Sequence, residues 1–321
     1  VAVPDPRLAR IAEVTRPERL TPATLEFVDV AGLVKGAHRG EGLGNQFLSH
    51  IREVDIIVHV VRCFEDPDIT HVDGDVNPKR DIGVVETELI LKDLETVEKR
   101  IEKTERLLKT GEKRYQVEME RLGKLKDLLE RGESLRRGQW DEEERALIAE
   151  LCLLSAKPVI YAANVSEDDL DGRSPLVAAV QALASESGAS VLVICAAMES
   201  EVAELDPGEA RAFLEELGVE EPGLDRLIRL AYDKLGLVTF YTVKGPETRA
   251  WAVPRGTRAP EAAGKIHQDM QRGFIRAEVI DWESFVRYGS LASAREQGAV
   301  RSEGKEYVIQ DGDVVLFRFN V

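Results

Sequence analysis

The sequence predicts an α/β protein, in which a parallel sheet with crossover helices carries an inserted antiparallel helical coiled coil and is followed by a small α+β domain. Three patterns favour this fold class. Short apolar segments alternate with segments of helical periodicity, which is typical of parallel sheets. Two long charged segments carry apolar stripes at helical spacing, which indicates paired helices. The C-terminal segment alternates polar and apolar residues around a Gly-Pro turn, which indicates a hairpin.

The composition is that of a globular protein with a substantial core. The 321 residues include 43 basic and 59 acidic side chains, for a formal net charge of -16, and 43% of the residues are hydrophobic. This hydrophobic fraction excludes global disorder. No apolar run approaches the roughly 18 residues of a membrane span. Three cysteines without a close pair argue against a disulfide framework. We therefore expect a cytoplasmic protein that does not bind membranes.

The acidic charge is concentrated between residues 151 and 236, so no bulk electrostatic footprint for nucleic acid is present. We expect no DNA binding. The segment 237–321 is close to neutral, so a local basic patch that contacts RNA remains open there.

Six segments build the predicted sheet and its crossovers. Strands are predicted at 25–30, 56–63, 158–163 and 190–196, and helices at 45–54 and 176–187. The run 56–63 is almost continuously apolar, which predicts a strand buried on both faces.

The inserted segment predicts two helices that pack mainly on each other. The apolar stripe of the first helix is Leu94, Val97, Ile101, Thr104 and Leu108, and that of the second is Tyr115, Met119, Leu122, Leu125 and Leu129. A turn at Gly111 would make them antiparallel. For Arg136 and Arg137, which follow this hairpin, a solvated turn is predicted in preference to a phosphate clamp.

The C-terminal segment predicts a small α+β domain. Strands at 238–243 and 249–253 flank Gly245-Pro246, 262–270 is helical, and a tight turn at 311–313 precedes a strand at 314–319. The expected division is 1–85 and 149–234 for the two parts of the sheet domain, 86–148 for the helical arm and 235–321 for the last domain.

Residues 29–32 have the form DxxG at the end of a predicted strand. In P-loop NTPases the carboxylate of this motif reaches the Mg²⁺ shell, and the glycine N–H senses the γ-phosphate. Asp29 and Gly32 would take these roles. The alternative is an ordinary aspartate that caps the turn after its strand. The glycine-rich segment 34–46 that follows fits a switch loop, since glycine density permits several backbone conformations.

A second motif follows the strand at 158–163. Asn164, Val165 and Glu167 stand where GTPases carry Asn-Lys-x-Asp, whose aspartate holds the guanine N1 and N2 hydrogens. Glutamate moves the acceptor by about one methylene, which spoils a bidentate fit and weakens guanine preference. The alternative is an Asx-turn that leads into a helix. At the end of the next strand, the small residues of 195–197 (Cys195, Ala196 and Ala197) would let backbone N–H groups approach a base.

These motifs resemble those of the YchF/Obg-like ATPases, and the resemblance covers essentially the whole chain. It rests on 27–37 (FVDVAGLVKGA), 40–48 (GEGLGNQFL), 164–167 (NVSE), 262–267 (AAGKIH) and 273–277 (GFIRA). The resemblance implies a P-loop G domain, an inserted coiled-coil arm and a C-terminal ubiquitin-like (β-grasp) TGS domain. It also implies that ATP is bound in preference to GTP and slowly hydrolysed to ADP with Mg²⁺, and that the protein associates with ribosomes, through the large subunit or the 70S particle.

The resemblance also points to His71 as a catalytic residue. Leu33 follows the DxxG motif where Ras-type enzymes carry a water-orienting glutamine. A leucine cannot orient water, whereas a neutral imidazole at His71 could accept its proton. The alternative is an ordinary loop histidine.

The chain departs from the family pattern at one point. Gly123-Lys124, Gly264-Lys265 and Gly304-Lys305 are each followed by a residue other than Ser or Thr, so no phosphate-binding GK[ST] loop is found. We expect the chain to begin inside the G domain. A protein that truly started at Val1 would not be expected to bind ATP strongly. Two other hypotheses remain open: a ribosome- or RNA-binding adaptor that acts through the arm and the TGS domain, and an ordinary GTPase.

Overall fold

The computed structural model describes residues 1–30, 44–71, 74–109 and 111–320. The strands are β1 (Arg19–Thr21), β2 (Ile57–Arg62), β3 (Val159–Asn164), β4 (Ser190–Ile194), β5 (Leu237–Lys244), β6 (Glu247–Pro254), β7 (Phe274–Asp281), β8 (Arg301–Glu303) and β9 (Asp313–Phe319). The helices are α1 (Pro6–Thr15), α2 (Gly44–Glu53), α3 (Pro78–Leu108), α4 (Lys113–Glu130), α5 (Glu142–Glu150), α6 (Pro175–Ser187), α7 (Ala196–Glu204), α8 (Pro207–Glu216), α9 (Gly223–Lys234), α10 (Ala259–Ile266), α11 (Gln268–Arg272), α12 (Trp282–Tyr288) and α13 (Leu291–Glu296). Within these ranges no helix combines the length and the apolar character that crossing a membrane requires.

The chain forms two compact units. One comprises Val28–Gly223, and the other joins Val1–Phe27 to Leu224–Val321. The sequence division assigns 1–27 to the sheet domain, whereas in the structure these residues pack with the C-terminal segment. The reason is that β1 pairs with β6, and that Asp5 and Arg7 bond to side chains of the C-terminal segment. The other boundaries stay predictions.

The first unit contains the predicted parallel sheet. Its order is β2-β3-β4, and both pairs are parallel. The central strand β3 is buried over its first five residues, because it has a strand on each side and helices over its faces. This confirms the predicted strands at 56–63, 158–163 and 190–196, and the crossover helix at 176–187.

Two details of the prediction for this sheet are wrong. β2 is not buried on both faces, since Val60 is 62% exposed. The segment 25–30 forms no strand. Its neighbour Thr24 makes an isolated bridge to Ala2, and the Leu25 N–H donates to the Val1 carbonyl. An apolar run becomes a strand only where a partner supplies a continuous ladder, and periodicity along the chain carries no information about that partner.

The predicted helical hairpin is observed. α3 and α4 pack on each other, and the turn between them includes Gly111 with φ +77°. Val97 and Leu122 are among the fully buried residues of the shared core. The polar member of the predicted stripe, Thr104, is buried because its hydroxyl donates to Glu118 Oε1 at 3.1 Å. A coiled-coil supercoil stays a prediction.

A buried carboxylate joins α3 to the turn that precedes β3. Asp93 is 1% exposed and accepts the backbone N–H groups of Leu154 and Ser155, both at 2.7 Å. Burial raises the pKa of Asp93 to about 6. The arm is therefore fixed to the sheet by a polar contact that is shielded from water.

The C-terminal unit is a mixed sheet of order β1-β6-β5-β9-β7-β8. β5 is antiparallel to β6 and parallel to β9, and β7 is antiparallel to β9 and β8. α10 places Ala259, Ala262 and Ala263 against the core around Phe240 and Phe317. The predicted hairpin, helix and closing strand are confirmed. The predicted helix 262–270 is broken at His267, whose Nδ1 accepts the Asp269 N–H and caps α11.

A polar cluster holds the N-terminal segment on this sheet. The Tyr241 hydroxyl donates to Asp5 Oδ2 at 2.5 Å, and Arg7 bridges Asp5 and Asp311. β1 also runs parallel to β6 as an added edge strand. These contacts explain why residues 1–27 belong with the C-terminal unit.

Candidate nucleotide site

The carboxyl ends of the parallel strands form the candidate site, which is where ligands bind in open α/β sheets. The ladder continues to the ends of the strands: the Cys63 N–H donates to the Asn164 carbonyl at 2.7 Å, and the Val165 N–H donates to the Ile194 carbonyl at 2.9 Å. Val165 is buried at 2% exposure. The backbone at Asn164 is therefore fixed from both sides, which positions its side chain.

The carboxamide of Asn164 bridges two strand ends. Its Oδ1 accepts the backbone N–H of Ala196 at 2.9 Å, at the first residue of α7. This bond goes to the neighbouring strand's end, so the alternative of a local Asx-turn at Asn164 is wrong. With Oδ1 engaged, the two N–H groups of Nδ2 have no partner in the described part of the chain and are available to an acceptor on a ligand.

Residues 195–197 begin α7. Cys195 is the N-cap residue and is buried, whereas Ala196 and Ala197 are exposed. The first backbone N–H groups of a helix lack intrahelical partners. The Ala196 N–H is taken by Asn164 Oδ1, whereas the small side chain of Ala197 leaves its own N–H uncovered. Contact of residues 195–197 with a base stays a prediction.

Glu167 is exposed at the start of a short 3-10 turn, Glu167–Asp169. The capping role in this loop falls to Asp169, which accepts the N–H groups of Arg173 and Ser174 at 2.8 and 3.2 Å. A side-chain hydrogen bond with Ser174, together with these backbone bonds, holds the pKa of Asp169 below its usual value. Because Asp169 stabilises the loop, the Glu167 carboxylate is not needed for its structure. The role of Asp169 was missed from the sequence, because the helix-start signal there is the N-cap Ser174 followed by Pro175, and Asp169 acts in the loop before it.

Asp29 is exposed and lies outside any strand, while Gly32 and the glycine-rich segment to residue 43 fall outside the described residues. Residues 1–30, 44–71, 74–109 and 111–320 contain no group of three or more His, Cys, Asp or Glu arranged to hold a metal. Mg²⁺ is commonly held by one or two carboxylates together with substrate phosphates. A single carboxylate at Asp29 therefore fits Mg²⁺ that arrives with a nucleotide.

His71 lies in the loop between β2 and α3 and is bonded to the start of α3. Its Nε2 lies 3.1 Å from Asp81 Oδ2, and Arg80 Nη2 lies 3.5 Å from its Nδ1. If Nε2–H donates to Asp81, Nδ1 is the acceptor nitrogen. In that tautomer Asp81 orients the ring. Asp81 was missed from the sequence, although it lies in the first turn of a helix whose start is signalled by Asn77-Pro78.

The same loop is shaped by Arg62 at the end of β2. Its guanidinium donates to the carbonyls of Phe64, Asp66 and Ile69 at 3.1, 3.3 and 2.9 Å.

The predicted site residues therefore fall into two groups. Asn164 and Val165 lie beside residues 195–197, whereas the hydrogen bonds of His71 go to the first turn of α3.

Comparisons with known proteins agree with this architecture. A 50S ribosome-binding GTPase family model matches residues 7–109, and a YchF GTPase C-terminal model, described as a protein of unknown function, matches residues 237–320. The chain is 51% identical over 323 residues to the ribosome-binding ATPase YchF of Bacillus subtilis (strain 168) and 49% identical over 321 residues to that of Escherichia coli O157:H7. Each alignment covers 100% of this chain and 88% of the relative.

A solved structure, the YchF GTPase of Schizosaccharomyces pombe, matches with a TM-score of 0.88 at 36% identity, over 99% of this chain and 86% of that one. The predicted family and fold class are confirmed, and with them the class of enzyme, a nucleoside triphosphate hydrolase. The chain therefore belongs to the YchF family of P-loop NTPases.

Proposed function

We propose that this protein is an ATP-binding switch that prefers ATP to GTP, hydrolyses it slowly to ADP with Mg²⁺, and acts on the ribosome in the cytoplasm. The observation that carries the proposal is the Asn164 bridge to the Ala196 N–H, with the exposed Glu167 following it. Relatives named ribosome-binding ATPases support the ribosomal part.

The base-binding groups favour adenine. Asn164 Nδ2 can donate to a purine nitrogen, and the backbone N–H of the exposed Ala197 lies next to the Ala196 N–H that Asn164 holds. A guanine-specific site needs a carboxylate placed to accept two hydrogens at once, and the longer Glu167 side chain does not reproduce that placement. Val165 is buried and cannot supply the contact that lysine makes in the GTPase motif.

Shortening Glu167 tests this preference. In the full-length protein, Glu167→Asp is expected to raise GTP affinity about tenfold relative to ATP, because the acceptor moves to the position that fits the guanine edge. The measurement is the ratio of the two dissociation constants by titration calorimetry. Asp168→Glu, at the exposed neighbouring position, should leave the ratio unchanged. An unchanged ratio in Glu167→Asp would mean that this carboxylate does not face the base.

The phosphate side of the proposal rests on Asp29 and Gly32. Mg²⁺, when bound, neutralises charge that develops on the phosphates. Asp29 would orient the Mg²⁺ shell through water, and the Gly32 N–H would contact the γ-phosphate. His71 would accept a proton from the attacking water at Nδ1, in place of the Arg80 contact at 3.5 Å, while Asp81 holds the ring through Nε2.

Removing the imidazole tests the catalytic assignment. His71→Ala is expected to lower kcat about 100-fold with ATP affinity intact, since general-base assistance contributes in that range. Single-turnover hydrolysis and ATP titration on the same preparation separate the two effects. Asp81→Asn, which alters only the orienting partner, should lower kcat less. A kcat unchanged in His71→Ala would remove this residue from catalysis.

A second candidate function, a ribosome- or RNA-binding adaptor, is favoured by one surface of the C-terminal unit. Lys244, Arg276 and Arg318 line a shallow depression beside the exposed Ile275 and Phe319. Glu278 pairs with Arg276 and Arg318, so part of this charge is neutralised. A mixed basic and apolar face suits ribosomal RNA, whose phosphates attract cations and whose bases stack on apolar side chains.

Salt dependence distinguishes a phosphate-binding surface from other contacts. If this face binds RNA on the large subunit or the 70S particle, Lys244→Gln with Arg276→Gln should reduce the slope of log affinity against log salt by about 1 to 2. The control pair, Arg10→Gln with Arg255→Gln, removes two exposed cations elsewhere on the same unit. A flat salt response of the unmodified protein would rule this surface out.

A further inference from the structure

A cavity of about 480 Å³ lies at the amino end of β3, opposite to the nucleotide site. It is bounded by the end of α2, the turn that contains Arg136, the C-terminal half of α5 and the residues that enter β3 at Lys157. β3 has six residues, which separates the two ends by about 17–20 Å. This cavity is therefore distinct from the strand ends that form the candidate nucleotide site.

Arg136 lines this cavity with a guanidinium that is almost fully buried. Its side chain is 7% exposed, its Nε donates to the Lys157 carbonyl at 2.7 Å, and its Nη1 donates to Glu86 Oε1 at 3.1 Å. Its Nη2 is buried and has no hydrogen-bond partner among the residues that the structure describes. The prediction of a solvated turn is thus wrong for Arg136, whereas Arg137 is exposed. A buried cationic donor without an acceptor is costly, so this group favours an anion or a water in the adjoining space.

The other charged groups of the lining add to this preference. Arg52, Arg136, Arg145 and Lys157 face two carboxylates, Glu53 and Asp55. This excess of cations stands out in a chain whose net charge is -16.

The cations differ in how firmly they are held. Lys157 Nζ donates to the carbonyls of Arg52 and Val54, and Arg52 Nη2 donates to Thr96. Arg145 is exposed on α5 and forms no ion pair with the described residues. With Arg136, three of these four cations are thus held in place by hydrogen bonds, whereas the Arg145 side chain is not held by an ion pair.

We propose that this cavity binds a phosphate group, either as the free ion or as the ester of a small organic molecule. A guanidinium recognises phosphate oxygens through paired N–H donors, and lysine adds a point charge. Leu135, Ile148 and Leu153 form an apolar wall, and the volume exceeds that of phosphate alone. These features suit an ester whose organic part packs against the wall. A bound phosphate would connect α5 and the turn at Arg136 to the strand that leads to Asn164.

Cys152 provides a reporter for this site. It lines the cavity and is exposed, whereas Cys63 and Cys195 are buried. Alkylation of Cys152 by iodoacetamide in the full-length protein, without nucleotide, can be followed by mass spectrometry. We expect phenyl phosphate to slow this reaction at least fivefold at saturation, and phenol at the same concentration and ionic strength to have no effect. Inorganic phosphate is the second probe. If it protects Cys152 as well as phenyl phosphate does at the same concentration, the site binds the free ion. If it protects Cys152 less well, the site binds a phosphate ester.

Variants locate the binding groups. Arg145→Gln should weaken protection about tenfold, and Arg136→Gln should weaken it at least as much. The matched control is Arg137→Gln, which removes the exposed neighbouring cation. Arg145 is at the surface, so its variant keeps the test interpretable if Arg136→Gln fails to fold. Protection by chloride at the same ionic strength, or protection unchanged in Arg145→Gln, would overturn the proposal. The readout does not depend on ATP hydrolysis.

Discussion

Replacing Asn164 with alanine in the full-length protein is expected to weaken ATP binding about 10- to 100-fold. The substitution removes the Nδ2 donors that we propose contact the base, and also the Oδ1 that accepts the Ala196 N–H at 2.9 Å. Each lost hydrogen bond in a desolvated site costs about 1–3 kcal/mol, which corresponds to this range. Titration calorimetry with ATP measures the effect directly.

A ligand without a base separates base recognition from phosphate binding. Tripolyphosphate with Mg²⁺ should bind the Asn164→Ala variant and the unmodified protein equally well. Ser166→Ala is the matched control, because Ser166 is two residues away and its side chain makes no capping hydrogen bond. Equal losses for ATP and tripolyphosphate would contradict the assignment of Asn164 to the base.

Replacing Asp93 with alanine is expected to destabilise the protein by about 2–5 kcal/mol. The carboxylate accepts two backbone N–H groups at 2.7 Å in a site that is 1% exposed. Alanine leaves both donors buried without an acceptor, at about 1–3 kcal/mol each. Denaturant unfolding gives the free energy, and Asp127→Ala, an exposed position on α4, should change it by less than about 0.5 kcal/mol. A loss in Asp93→Ala no larger than in this control would mean that the contact contributes nothing.

The same residue predicts a pH dependence with a defined sign. Burial raises the pKa of folded Asp93 from 3.8 to about 6, so between these values the folded state binds more protons than the unfolded state. Its contribution to stability is therefore fully present below about pH 4 and is lost as the pH rises to about 6. The change amounts to about 3 kcal/mol at most. Relative to Asp93→Asn, the unmodified protein should lose stability across this window, and parallel curves would contradict the raised pKa.

Local sequence patterns predicted the elements whose structure is set by their own residues. The stripe that includes Val97 and Leu122 became the hairpin core, and β3 ended at Asn164 as expected. The ends of neighbouring parallel strands meet at one edge of a sheet, so the proximity of Asn164 to residues 195–197 follows from the strand prediction. The specific hydrogen bond, from the Ala196 N–H to Asn164 Oδ1, does not follow from it.

The predictions that were wrong share a physical cause: the structure of each segment depends on a partner that is distant in sequence. The run 25–30 has strand composition but no ladder in the structure, and β2 exposes Val60. Arg136 was expected in solvent, yet Glu86 and the Lys157 carbonyl hold it inside. Neither partner is close to Arg136 in sequence, so no local pattern indicates the burial.

The burial of Asp93 could have been inferred from its position in the sequence. It lies four residues from both Leu89 and Val97, and all three are buried on one face of α3. An acidic residue at an apolar position of a helix signals a buried acceptor. In a segment rich in Glu and Lys, this signal is easily read as part of the solvated face.

The central claim, that this site prefers adenine, is tested most directly by the dissociation constants of ATP and GTP for the full-length protein under identical Mg²⁺ and salt. We predict that ATP binds at least tenfold more tightly, because in the proposed site Asn164 Nδ2 and the Ala197 N–H would serve adenine, whereas Glu167 would not fit guanine. Equal affinities, or tighter binding of GTP, would contradict the account and favour the GTPase alternative.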